Sequence, residues 1–143
     1  FVQAARFDRL GVFSYSDEDT SGSFHLDRKV DARAIYNRKR RLMSLQRKIS
    51  RAKNRELVGR ELPVLVEGPS ADSDLVWEAR LSTQAPDIDG VCYISDPGEQ
   101  PLRAGDIRTM RIVKAHDYEL TGELIGELTG RAARPNALLF QIA

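Results

Sequence analysis

Cysteine and histidine are scarce in this sequence of 143 residues, which contains one cysteine and two histidines. A single thiol cannot form an internal disulfide, and it cannot build a zinc or iron–sulfur site, because each of these needs several ligands. His25 and His116 lie far apart, and no metal-binding spacing surrounds either of them. We therefore predict that this chain alone holds no metal ion, and the free Cys92 favours a reducing, cytoplasmic location.

Long apolar runs and phosphate-binding glycine patterns are also missing. No run approaches the roughly 20 apolar residues that a membrane-spanning helix requires, so we expect no membrane partner. The composition, 41% hydrophobic and 30% charged, is that of a globular domain, and 143 residues can bury a core without disulfides. Because the sequence begins with Phe1 instead of Met, we also expect it to be a piece of a longer protein.

A formal net charge of +1 conceals segments of opposite sign. Residues 1–54 contain 13 Lys or Arg and 6 Asp or Glu, residues 55–129 contain 7 and 15, and residues 130–143 contain 2 and 0. The three segments therefore have net charges of +7, −8 and +2. Because a charge of −8 repels a nucleic-acid backbone, the middle segment is better suited to a basic protein partner.

The spacing of apolar residues predicts a long amphipathic helix between Ala32 and Lys53. This stretch contains neither glycine nor proline, and it places four apolar residues on one stripe: Ile35, Leu42, Leu45 and Ile49. Asp31 is placed to cap the first turn of the helix. A short β-prone run within residues 1–13 predicts a strand before it.

After Gly59 the apolar period shortens to 2, which predicts five short strands at residues 61–67, 75–82, 90–95, 106–115 and 119–127. A sheet this small has exposed edges unless it closes, so we predict a five-stranded antiparallel barrel of the OB type. The predicted fold class is α+β and mainly β. Residues 1–54 form a leading segment, 55–129 the barrel and 130–143 an extension.

Two carboxylates, Asp87 and Asp89, stand in the turn Ala85–Gly90 before a predicted strand. Paired carboxylates can act as general acid and base, and they also occur in ordinary structural turns. The chain supplies no nucleophile, metal site or oxyanion-binding pattern to complete a catalytic site. We therefore predict no catalytic or cofactor-binding residue here, and we take Asp87 and Asp89 as candidate contacts for a docked substrate.

The predicted helix carries a run of four basic residues, Arg38, Lys39, Arg40 and Arg41. Such a run is typical of a nucleic-acid contact. Consecutive residues point around a helix, so the run is equally explained as a solvated face whose stems cover apolar surface. Both interpretations stay open from the sequence.

Several stretches, taken in order, resemble the radical-SAM methylthiotransferases. They are Arg9-Leu10-Gly11-Val12-Phe13-Ser14-Tyr15-Ser16, the helical stretch from Arg38 to Gln46, Val64-Leu65-Val66-Glu67-Gly68, Ala85-Pro86-Asp87-Ile88-Asp89-Gly90-Val91, Gly105-Asp106, and the stretch from Asp117 to Glu123. The resemblance covers about residues 6–127 and ends in what looks like a TRAM domain. The acidic run after Ser16 and the Pro-Asp-Ile-Asp-Gly turn resemble the RimO branch, which modifies an aspartate of a small-subunit ribosomal protein. Trp77 and the residues after Glu127 depart from that pattern.

The resemblance implies the C-terminal part of a methylthiotransferase, made of the last strand of a radical-SAM barrel, a connecting helix and a TRAM domain that helps to dock the substrate. In full-length members, cysteines of preceding domains hold two 4Fe-4S clusters, and S-adenosylmethionine supplies the methyl group and the radical. None of those cysteines is present here, so we expect the fragment alone to be inactive. The implied partners are the ribosomal protein, with the ribosome as a further candidate, and the missing domains of the same chain.

Two other interpretations remain. The sister branch of the family modifies an adenosine next to the tRNA anticodon, and in that case the basic residues Arg38 to Arg41 contact tRNA phosphates. The other is a freestanding OB-like binding module with no enzyme attached. The missing start methionine and the lone predicted first strand argue against this second interpretation.

Overall fold

A computed structural model describes residues 1–71, 73–86 and 88–131. In chain order it contains helix α1 at Val2–Ala5, a 3-10 turn at Gly22–His25, helix α2 at Ala32–Glu56, and five strands: β1 at Glu61–Ser70, β2 at Ser73–Leu81, β3 at Cys92–Asp96, β4 at Asp106–Ala115 and β5 at Leu120–Arg131. The chain divides into two compact units, Phe1–Lys53 and a second unit that begins at Asn54. None of the helices in these ranges is both long enough and apolar enough to cross a membrane.

The strand predicted within residues 1–13 does not form. Val2–Ala5 is a short helix, and residues 10–13 belong to no strand. A strand is stable only when its backbone groups pair with a neighbour, and the first unit, which is described throughout, contains no other strand. The prediction is wrong because it rested on local β propensity without a pairing partner.

Helix α2 confirms the predicted amphipathic helix and ends at Glu56, slightly later than expected. Asp31 caps it, since its Oδ1 accepts a hydrogen bond from the backbone N–H of Ala34 at 2.9 Å. The inner face buries Gln46, whose Nε2 donates to the carbonyl oxygen of Phe7 at 2.8 Å. The segment before the helix is thus fastened to it inside the first unit.

The five strands close into a barrel in the order β1-β2-β3-β5-β4, which confirms the predicted mainly β, OB-like fold. Four pairings are antiparallel, whereas β3 and β5 pair in parallel. The prediction of a fully antiparallel barrel is wrong at this pairing. Successive strands alternate in direction, and an odd number of alternating strands cannot close a ring without one parallel pair.

Apolar side chains from all five strands fill the barrel: Val64, Val66, Ala79, Leu81, Cys92, Ile94, Met110, Ile112, Leu120 and Leu124. Trp77 is half-buried and packs against this core. Of the predicted extension 130–143, Gly130 and Arg131 complete β5, and the remainder lies outside the described residues. The loops that join the strands therefore emerge from a well-packed support.

Candidate functional site

Gln84 holds the turn between β2 and β3 together. Its side chain is 2% exposed, and its Oε1 accepts hydrogen bonds from the backbone N–H of Leu81 at 2.7 Å and from the thiol of Cys92 at 3.3 Å. Its Nε2 donates to the carbonyl oxygen of Gly90. Because one buried amide bonds both sides of the turn, the turn has a defined conformation.

Asp89 belongs to the hydrogen bonding of the same turn. Its half-buried carboxylate accepts a hydrogen bond from the backbone N–H of Ala85 at 2.8 Å, and its own N–H donates to the carbonyl oxygen of Ala85 at 3.3 Å. Asp87, the other predicted contact, lies outside the described residues. The Asp89 side chain therefore stabilises the turn, and its contact with a partner stays a prediction.

The turn lies against the loop that precedes β5. A Cβ atom at Gly90 would overlap the carbonyl oxygen of Tyr118, so only glycine permits this approach. That loop is itself anchored by Asn54, whose Nδ2 donates to the carbonyl oxygens of His116 at 3.2 Å and Asp117 at 3.4 Å. The two loops thus form one fixed surface at this end of the barrel.

Ile88, which stands between Asp87 and Asp89 in the sequence, is 85% exposed on the turn. The two loops around it contribute four acidic residues: Asp87, Asp89, Asp117 and Glu119. An exposed apolar side chain among carboxylates can enter an apolar pocket while the carboxylates attract basic groups. The sequence does contain a signal for this contact residue. An apolar residue stands between two aspartates in a turn, and the turn itself does not require an apolar side chain there.

The four basic residues of α2, Arg38, Lys39, Arg40 and Arg41, are all exposed. Within the described ranges, none of their side chains makes an ion pair or a hydrogen bond. The run therefore presents unneutralised charge to solvent on more than one face of the helix. This geometry fits both a solvated helix and a surface that contacts phosphates. The four residues belong to the first unit, whereas Asp89 belongs to the second.

Arg38 and Lys39 border a groove of about 530 Å³ that lies entirely within the first unit. At its edge the Asp17 Oδ1 accepts hydrogen bonds from Lys29 Nζ at 2.8 Å and from the Tyr15 hydroxyl at 2.9 Å. The hydrogen bond from Lys29, assisted by that from Tyr15, lowers the pKa of the Asp17 carboxyl below its ordinary value. The groove thus combines apolar walls with an ordered ion pair.

The chain's own residues do not fit an iron–sulfur cluster. Such a cluster needs several cysteine thiolates, and Cys92 is the single cysteine of the sequence. Its thiol lies in the barrel core and donates to Gln84. No group of three or more His, Cys, Asp or Glu side chains that could hold a metal ion occurs in the part of the chain that the structure describes.

Comparisons with known proteins find one matching domain family and a group of similar proteins. The TRAM domain family matches residues 58–125. Proteins named ribosomal protein uS12 methylthiotransferase RimO are 65% identical over 126 residues in Solibacter usitatus, 48% over 126 in Koribacter versatilis and 50% over 134 in Sorangium cellulosum. The matches cover 87%, 87% and 93% of this chain but only 27%, 25% and 27% of the relatives, so the chain spans about a quarter of their length. Over most of its length the chain is therefore similar to one portion of the RimO-type methylthiotransferases, and it contains a match to the TRAM domain.

Proposed function

We propose that this chain is the C-terminal, substrate-recognition part of a radical-SAM enzyme that methylthiolates an aspartate of a small-subunit ribosomal protein. The names of the relatives specify uS12 as the protein that they modify. The observation that carries the docking proposal is Ile88, 85% exposed on a hydrogen-bonded turn of an acidic barrel. The barrel binds the basic substrate protein at this turn.

The segments have separate tasks in this proposal. Residues 1–54 form the end of the radical-SAM domain and the helix that connects it to the TRAM barrel, residues 55–129 meet the substrate, and residues 130–143 have no assigned task. The 4Fe-4S clusters and S-adenosylmethionine bind to the preceding domains, which supply the radical chemistry. This chain alone is inactive, and the whole enzyme works in the cytoplasm.

Recognition has a long-range and a short-range component. The net charge of −8 on residues 55–129 attracts a basic protein and raises the rate of encounter. On contact, Ile88 enters an apolar pocket, and burying an isoleucine side chain contributes roughly 1.5–3 kcal/mol. Because Gln84 and Asp89 order the turn in advance, binding costs little conformational entropy.

Titration calorimetry of the chain with purified uS12 tests this proposal. We expect Ile88→Ser to weaken binding by about tenfold or more, since most of the apolar contact is lost. Added salt weakens binding because the steering charges are screened. Val113→Ser is the matched control, since Val113 is 40% exposed on β4, outside the two loops. Equal affinities of the two variants, or binding that does not respond to salt, contradict the proposal.

A second candidate function is supported by the exposed basic run of α2. In this alternative the chain is part of a tRNA adenosine methylthiotransferase, and Arg38 to Arg41 contact tRNA phosphates. Reversal of all four residues to glutamate then abolishes tRNA binding. Lys48→Glu is the control for a change of charge elsewhere on the helix, because Lys48 is exposed near the other end of α2. Unchanged tRNA affinity after the fourfold reversal dismisses this alternative.

A further inference from the structure

Arg108 is a buried guanidinium at one end of the barrel. It lies on β4 with its side chain on the same face as Met110 and Ile112, and it is 2% exposed. One nitrogen, Nη2, donates to the carbonyl oxygen of Gly126 at 3.3 Å, and Nε has no hydrogen-bond partner among the described residues. Burying a charged group without full hydrogen bonding is unfavourable, so this arrangement calls for a compensating group.

The carboxylate of Asp106, which lines the same cavity as Arg108, already accepts hydrogen bonds from other donors. Asp106 is 2% exposed, and its Oδ1 accepts a hydrogen bond from Arg131 Nε at 2.8 Å. Its Oδ2 accepts a hydrogen bond from the backbone N–H of Arg103 at 3.2 Å. Arg103, Arg108 and Arg131 therefore share one cavity lining with a single carboxylate, in a barrel that is otherwise strongly acidic.

These residues line a cavity of about 220 Å³, which Gln100 and Leu128 also border. A volume below the ~300 Å³ lower end for small-molecule pockets suits one small group and not a whole cofactor. Arg108 lies at an irregularity of the barrel wall, because the β4–β5 register is interrupted between Ile107 and Thr109, and Gly126 on β5 has a φ of 69°. The cavity is therefore part of the barrel architecture.

We propose that this cavity binds an oxyanion of the phosphate type, either free phosphate or the phosphate group of a monoester. The Arg108 guanidinium donates to one oxygen from inside the barrel end, and Arg103 and Arg131 donate from the rim. Guanidinium groups converging from several elements match the oxygens of a tetrahedral dianion, and charge-assisted hydrogen bonds of this kind are the strong ones. The bound anion neutralises the excess positive charge that Asp106 leaves.

Arginine Nε–H resonances of the ¹⁵N-labelled chain provide a direct test. The Arg108 signal is assigned by its disappearance in Arg108→Lys, and sodium phosphate is then titrated against sodium chloride at equal ionic strength. We expect the Arg108 signal to move to saturation with phosphate and not with chloride. Movement that is linear, or that is the same with both salts, overturns the proposal.

Rim variants test the other donors without disturbing the buried residue. Arg103 bonds Asp106 through its backbone only, so Arg103→Gln leaves that contact in place. We expect Arg103→Gln and Arg131→Gln each to raise the phosphate dissociation constant by about tenfold, the effect of losing a charged hydrogen bond. Arg111→Gln is the matched control, because Arg111 is exposed on β4 and bonds Glu61 at 2.9 Å. Equal dissociation constants for all three variants overturn the assignment.

Two further titrations identify the source of the anion. Saturation by adenosine monophosphate as well as by phosphate assigns the site to a phosphate group in either form. Saturation by phosphate alone assigns it to the free ion. If acetate at equal ionic strength saturates the Arg108 signal as tightly as phosphate does, the site is a carboxylate site, and the proposal is wrong.

Discussion

The side-chain oxygen of Gln84 accepts a hydrogen bond from the backbone N–H of Leu81 at 2.7 Å, while its amide nitrogen donates to Gly90 at the far side of the turn. Leu81 ends β2, and Gly90 lies shortly before the first residue of β3. One buried side chain therefore joins two strand ends and sets the shape of the turn that carries Ile88.

Replacing Gln84 by leucine should destabilise the barrel by about 2–4 kcal/mol, because the Leu81 N–H and the Gly90 carbonyl are left without partners in a buried environment. Urea denaturation measures this loss. Gln100→Leu, at an exposed loop position, serves as the control and is expected to change the free energy of unfolding by less than about 0.5 kcal/mol. Similar losses in both variants would show that the Gln84 hydrogen bonds do not stabilise the fold.

Gly122→Ala should destabilise the barrel by about 1–3 kcal/mol, since its Cβ overlaps the Met110 side chain and the Arg111 carbonyl oxygen. Gly130→Ala on the same strand offers a matched control, because its Cβ would first meet Ile107 Cδ1 at an ordinary 3.8 Å. Thermal and urea unfolding compare the two. A tolerated Gly122→Ala contradicts the described β4–β5 contact.

Lys29→Gln should raise the pKa of Asp17 toward its ordinary value, because the Lys29 hydrogen bond is the main cause of the lowered pKa. Carboxyl ¹³C titration by NMR follows both Asp17 and Asp8, whose pKa is lowered mainly by its hydrogen bond to Lys53. Lys53→Gln is the reciprocal control and should move only Asp8. If either substitution shifts both aspartates equally, the two pairings are wrong.

The lowered pKa values of Asp8 and Asp17 determine whether the free energy of unfolding rises or falls with pH. A carboxyl whose pKa is lower in the folded state than in the unfolded chain stabilises the fold above its ordinary pKa. This stabilisation is lost as the pH falls through the lowered pKa of the carboxyl in the folded state. Unfolding of the first unit should therefore become less pH-dependent in the acidic range when Lys29 and Lys53 are both replaced by glutamine.

Asp31→Ala should shorten or fray the start of α2 and cost about 1 kcal/mol, since the N–H of Ala34 loses its capping acceptor. Circular dichroism and urea denaturation measure the change. Asp27→Ala, at an exposed position before the helix, controls for loss of a negative charge. A helix content that is unaffected by Asp31→Ala contradicts the cap.

Much of the fold was predictable because its periodicities are strong. The apolar stripe of α2 and the alternation after Gly59 each determine an element without reference to distant residues. The prediction of the first strand was wrong because strand pairing depends on the whole structure. The parallel β3–β5 pair follows from ring closure, and the alternation of side chains along each strand carries no information about closure.

The sites were less predictable for a different reason. Asp89 looks free in the sequence, yet its carboxylate bonds Ala85, whereas Ile88 looks like a core residue and is exposed. Arg108 occupies a position that alternation assigns to the interior, where the sequence alone favours an apolar residue. In each case the outcome depends on the loop or bulge geometry around the residue.

Closure of the ring by β5 has a consequence for synthesis on the ribosome. β5 pairs with both β3 and β4. While residues 120–131 of a nascent chain are still inside the ribosome, β3 and β4 therefore each have one unpaired edge. Unpaired edges recruit other strands. Ribosomes stalled within this segment should thus yield aggregation-prone products, whereas chains that extend past Arg131 can pair all five strands.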